Sequence, residues 1–180
     1  MKTAKVKIGI LGCADVAKRH AIKAFQSIDN AEVVSIASRD YEKAKKWASD
    51  FGIAAEKSYD ALLKNKNIDA IYIPLPIGLH KKWVLKAAQA GKHIICEKSL
   101  AGDFKSVNEM VAECRSKGLV LYENFMCGFH PQHEKVLSLI KNGVIARLIE
   151  FRSIYGFTPF DKNNIRYDKK LGASALYDAG

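Results

Sequence analysis

Apolar positions change period repeatedly along this chain, and each change marks an element. Val6, Ile8, Ile10 and Leu11 form a short run with β-branched residues, which predicts a buried strand. The small residues Gly12-Cys13-Ala14 follow at once. Val16, Ala17, Ala21, Ala24, Phe25 and Ile28 then recur at helical spacing. Residues 32–38 read as a second strand, and 41–51 as an amphipathic helix ended by Gly52. A short helix is expected over 58–64, with Ser58 or Asp60 near its start and Asn65-Lys66-Asn67 breaking it. Residues 68–73 form a third strand, stopped by Pro74 and Pro76. His80 is expected to open a helix over 81–90, closed by Gly91. A strand at 92–96, a helix at 103–117 and a strand at 119–122 follow. Strand and helix alternate throughout, which implies a doubly wound parallel sheet with helices on both faces.

Past His130 the pattern changes. A helix is expected over 131–141, ended by Asn142-Gly143. Residues 145–157 then alternate with period two. Ile145, Ile149, Phe151, Tyr155 and Phe157 share one face, and Glu150 and Arg152 lie on the other. That patterning predicts a long strand of a half-solvated antiparallel sheet. Two domains are therefore expected, at 1–124 and 125–180, the second beginning with this strand. A lone strand with an open edge should pair with a second copy or stay poorly ordered.

Composition narrows the class. The chain has 180 residues, 48% of them hydrophobic, enough for a substantial core. No run approaches the ~18 consecutive apolar residues of a membrane span, and no signal-peptide core follows Met1. A soluble cytoplasmic protein is expected. The four cysteines form no Cys-x-x-Cys pair, so they read as free thiols in a reducing compartment rather than a disulfide framework or zinc site. The net charge of +10 is scattered along helix faces, without a basic-aromatic cluster. This argues against nucleic acid as partner and for a small anionic ligand.

Strand, small-residue turn and helix in that order begin a dinucleotide-binding βαβ unit. Gly12, Ala14 and Ala17 fall at the spacing of its fingerprint. Gly12 permits the sharp turn, Ala14 lets amides approach a diphosphate, and Ala17 lets the helix pack close. Cys13, Asp15 and Val16 complete the loop, and the helix start adds free amides and partial positive charge. An ordinary βα turn of another α/β protein carries similar residues, so the rest of the chain must decide. At the end of the second strand, Ser38 and Arg39 replace the acidic residue that favours NAD. A guanidinium and a hydroxyl suit a 2′-phosphate, which points to NADP. Alternatively Arg39 is a solvated turn residue and Asp40 serves the ribose, which leaves NAD open.

Lys98 follows a buried strand abruptly, on the edge where open α/β sheets bind ligands. A partly desolvated ammonium there can give a proton to a developing alkoxide. Glu97 can hold the cofactor or balance the charge, and the pair also fits a surface ion pair. Pro74, Leu75 and Pro76 shape a wall on the same edge. His80 is placed to touch cofactor or substrate, to cap a helix, or to be solvated. Tyr122 and Glu123 end a strand on this edge and are pocket candidates. His130 and His133 stand three apart, but no further ligand cluster supports a metal.

Taken together these motifs resemble the Gfo/Idh/MocA family, which includes glucose–fructose oxidoreductase and inositol dehydrogenase. The matching stretches are ILGCADVA, ASR, PLPIGLH, EKS, ENFMCGFHPQH and GASALYDAG. GCADVA and ENFM-x-x-x-H-x-Q-H are most similar to the branch that reduces 3-keto nucleotide sugars with NADPH. The resemblance implies a Rossmann-type α/β fold and hydride transfer between NADP(H) and a sugar carbon. It places Lys98 at the family's Glu-Lys-Pro lysine, which contacts substrate and nicotinamide and assists proton transfer. Glu97 matches the glutamate of that triplet. Asp178, beside Tyr177, matches the acidic residue of the second-domain motif and is expected to be catalytic. The expected partners are a sugar or nucleotide-sugar substrate and further copies in a homo-oligomer. Two departures stand out. Ser99 replaces a proline whose bond is often cis, and Gly180 precedes the family's His or Tyr proton donor. By this comparison the substrate domain is incomplete. The alternative is a non-catalytic NADP-binding, regulatory or dimerising remnant.

Overall fold

Unbroken apolar runs become strands here because both faces of the sheet are covered. The computed structural model describes residues 4–154, 156, 158–162 and 164–172. Within them the sheet comprises β1 (Val6–Leu11), β2 (Ala31–Ala37), β3 (Ala54–Glu56), β4 (Ala70–Ile73), β5 (His93–Glu97) and β6 (Leu121–Asn124). The strand order is β3-β2-β1-β4-β5-β6 and every pair is parallel. Connections leave β1 and β4 in opposite directions, which opens a crevice at the carboxyl ends of those strands.

Helices cover both faces. A π-helical segment, Ala17–Ala21, continues directly into α1 (Ile22–Ser27). α2 (Tyr41–Phe51), α3 (Tyr59–Lys64), α4 (Ile77–Gln89), α5 (Phe104–Ser116) and α6 (Pro131–Lys141) follow. Alternate strand residues serve separate cores. Ile71 and Ile73 pack with Trp83, Val84 and Met110 on one side of the sheet. Ala70 and Tyr72 pack with Ile22 and Trp47 on the other. Side chains capture the first free amides of three helices. Asp40 accepts from Lys43 N at 3.1 Å, Ser58 from Ala61 N at 3.0 Å, and Asp103 from Ser106 N at 2.8 Å. Far from the crevice, the buried Lys92 donates Nζ to Ile68 O at 2.6 Å and Asn65 O at 2.8 Å. Burial lowers its pKa. Among the described residues no helix is long and apolar enough to cross a membrane.

Three features differ from the sequence reading. β3 was not expected, since Ala54–Glu56 has no apolar run; it forms by pairing with the exposed edge of β2. α4 begins at Ile77, four residues before the expected start, which places His80 inside the helix. The strand expected over 145–157 is not formed among the described residues of that range, while Tyr155 and Phe157 lie outside them. Strands need a partner to satisfy their backbone, and Ile149, Phe151 and Ile154 are exposed here without one.

The two-core arrangement has a measurable consequence. Ile71→Ala, at a fully buried site, should cost about 2–5 kcal/mol in urea unfolding. Phe104→Ala, at a residue that is 80% exposed, should stay within about 0.5 kcal/mol. Equal losses would contradict the assigned core.

Candidate functional site

The crevice at the carboxyl ends of the strands encloses about 960 Å³. Its floor is the loop after β1, from Gly12 to Val16, and its walls are the loops after β2, β4 and β5. Gly12 has φ of +126°, a conformation that L side chains rarely adopt. A Cβ there would sit 2.8 Å from Leu75 Cδ2, so glycine also leaves the space this approach needs. Gly12 N donates to Ala37 O at 2.9 Å, which ties the turn to β2. The helical bonding that follows starts with Ala17 N and Lys18 N, both donating to Ala14 O. Residues 13–16 thus occupy the first turn, where amides have no intrahelical partner.

One end of the crevice is basic. Arg39 is exposed after β2 and lines it together with Ser38. Lys43, in the first turn of α2, also lines it; its Nζ donates to Cys13 O at 3.0 Å and lies 5.4 Å from the Trp47 ring centroid. Asp40 lines the crevice too, but its Oδ1 is taken up in capping α2. The Cys13 thiol is pushed above its ordinary value, chiefly by burial.

The other end carries Lys98, half-buried after β5, beside Pro74, Leu75 and Pro76. The Lys98–Ser99 peptide bond is cis. Glu97 lines the crevice and is buried. Its Oε1 accepts from Tyr72 Oη and from Asn124 Nδ2, each at 2.7 Å. These donors satisfy a buried carboxylate, which is otherwise costly. Burial, and then the Glu97 acceptor, push the Tyr72 phenol well above its ordinary value.

The residues expected to bind a cofactor meet in this crevice, His80 excepted. Both ring nitrogens of His80 face main-chain carbonyls inside the protein, and it does not line the cavity. Nor do Tyr122 and Glu123. Glu123 instead accepts the N–H of Leu100 at 2.7 Å. His130 caps α6 by accepting from Gln132 N, and His133 Nε2 lies 3.3 Å from Cys127 Sγ. Among the described residues no group of three His, Cys, Asp or Glu is placed to hold a metal ion. Tyr177 and Asp178 lie outside the described residues.

Sequence reasoning missed Lys43 and the segment 164–172. Lys43 was discernible as a cation soon after the Ser38-Arg39 turn, on the helix side facing back to Cys13. The later segment gave no periodic signal. It reaches the crevice with Asn164, Ile165 and Arg166, and then lays Gly172 against Gly78 at the start of α4. A Cβ on Gly172 would lie 2.8 Å from Gly78 N, so the two backbones touch.

A left-handed turn into a helix start, a basic pocket after the second strand and a lysine across the crevice have the layout of a Rossmann-type dinucleotide site. Comparison with known proteins agrees. Residues 6–125 match the model of the oxidoreductase family with an NAD-binding Rossmann fold, Gfo/Idh/MocA, and the chain belongs to that family. It is 39% identical over 175 residues to the dTDP-3,4-didehydro-2,6-dideoxy-alpha-D-glucose 3-reductase of Actinomadura kijaniata, covering 97% of this chain and 53% of that one. It is 37% identical over 174 residues to D-xylose 1-dehydrogenase (NADP(+)) 2 of Haloferax volcanii, covering 96% and 53%. Among solved structures, a 3-ketoreductase from Actinomadura kijaniata in complex with NADP and TDP-benzene superposes with a TM-score of 0.93 at 38% identity, over 97% of this chain and 54% of that one. The chain spans about half the length of the relatives it matches.

The thiols test the floor of the crevice. At pH 8, iodoacetamide should modify the exposed Cys127 before Cys13, and Cys13 should catch up only as pH rises past the ordinary thiol range. Peptide mass spectrometry reads the order, and faster modification of Cys13 would contradict its burial.

Proposed function

We propose that this chain is the cofactor-binding part of an NADP(H)-dependent oxidoreductase acting on a sugar or nucleotide-sugar carbonyl. The observation that carries this is the pairing, across one crevice, of a basic pocket after β2 with Lys98 after β5. The residues fit a dinucleotide. The left-handed turn at Gly12 brings the chain into a helix start beside the crevice, and the amides of that turn offer donors to a diphosphate. Arg39, Ser38 and Lys43 hold the 2′-phosphate, and the engagement of Asp40 in its helix cap weakens the NAD alternative. The names of the relatives support a nucleotide-linked keto sugar as substrate.

When bound, the cofactor supplies or takes the hydride. Lys98 Nζ donates a proton to the substrate oxygen as its carbon is reduced, and takes it back in the reverse direction. Glu97, fixed by Tyr72 and Asn124, places a carboxylate next to that ammonium in sequence. Residues 1–124 form the dinucleotide domain, and 125–180 begin the substrate domain, to which Asp178 contributes. A homo-oligomer in the cytoplasm fits the exposed apolar residues 149, 151 and 154 and the free thiols.

Fluorescence titration separates the two cofactors. Arg39→Ala should weaken NADPH about ten- to a hundredfold more than NADH, the loss of a charged hydrogen bond. Equal losses would remove the 2′-phosphate assignment. With a dTDP-linked keto sugar, Lys98→Ala should lower kcat by about 10²–10⁴-fold, far more than it weakens NADPH. Turnover unchanged by that substitution would contradict the role of Lys98; binding without turnover in wild type would favour the non-catalytic alternative.

A further inference from the structure

Lys98 stands on a short loop that two side chains outside the crevice fasten from opposite flanks. His80, on α4, is fully buried. Its Nδ1 lies 2.9 Å from Ser99 O and its Nε2 2.6 Å from Leu75 O. The ring therefore lies between the loop after β5 and the loop after β4, and both loops line the Lys98 end of the crevice. A singly protonated ring donates to one of these carbonyls, a doubly protonated ring to both. From β6, Glu123 Oε1 accepts the N–H of Leu100 at 2.7 Å. With Nδ1 protonated, Ser99 is held through its carbonyl, and Leu100 is held through its amide, directly after the lysine.

We propose that His80 and Glu123 are positioning residues that set the reach of Lys98 across the crevice. This rests on the reading that Lys98 serves proton transfer. A histidine that merely fills core space needs one acceptor; this one meets two carbonyls, each from a loop that walls the site. Glu123 is exposed, so its carboxylate adds little packing, and its bond acts on the geometry of the loop. Geometry matters at this point because a displacement of about 1 Å in a reacting group costs about a hundredfold in rate.

Acylation of the free 180-residue chain by acetic anhydride, read lysine by lysine with mass spectrometry, tests the proposal without cofactor or substrate. Glu123→Ala and His80→Gln should raise the Lys98 rate by about two- to tenfold, the range one net hydrogen bond supports. Glu123→Gln keeps an acceptor for Leu100 and should label at the wild-type rate. The buried Lys92 should be unchanged throughout. If His80→Gln does not fold, the two Glu123 variants decide. An unchanged Lys98 rate in Glu123→Ala, or a Lys92 rate that rises in step with it, would overturn the proposal. NADPH titration of the same proteins reports separately on the cofactor reading, since failure of wild type to bind would sink that reading and leave the labelling result standing.

Discussion

The site depends on how the chain leaves β1. At Gly12 the backbone adopts a left-handed φ with Leu75 pressed against the space a side chain would take. That turn sends the chain from the middle of the sheet into a helix start, so amides gather where β1 and β4 diverge. The bond from Gly12 N to Ala37 O ties the turn to the end of β2, and Ser38 and Arg39 follow directly. One backbone constraint therefore fixes both the floor of the crevice and its distance from the basic pocket.

Charge is divided along the crevice in a way that suits a long anionic ligand. Arg39 and Lys43 stand at one end, and Lys98 at the other, next to a carboxylate that is tied back into the sheet. Lys43 is itself anchored on Cys13 O, so the basic pocket and the turn after β1 share a hydrogen bond. Cations at both ends suit a phosphate-bearing ligand, and the apolar wall of Pro74, Leu75 and Pro76 suits a ring.

Most of the nucleotide-binding half was legible in the chain because its elements are local. β1, β2, β4 and β5 announce themselves as apolar runs, and Ser58, one of the two residues expected near the start of α3, caps it. What escaped was non-local. His80 looked like a helix-opening or ligand residue, yet its partners, Ser99 and Leu75, meet it only when two loops converge. Glu123 is a strand-end carboxylate in the sequence and a loop fastener in space. The approach of Gly172 to Gly78 joins positions 94 apart, beyond any periodic signal. The expected strand at 145–157 failed for the complementary reason. Its alternation is real, but a strand is a property of a pair, and no partner is present among the described residues.

An amide-resolved NMR titration of the chain with NADPH tests the central claim most directly. The account predicts the largest shifts at the amides of Gly12 to Val16, with a second group at Ser38 to Lys43 and a third around Lys98. Shifts confined to α6 or to residues 144–154, with the Gly12 turn unmoved, would contradict it.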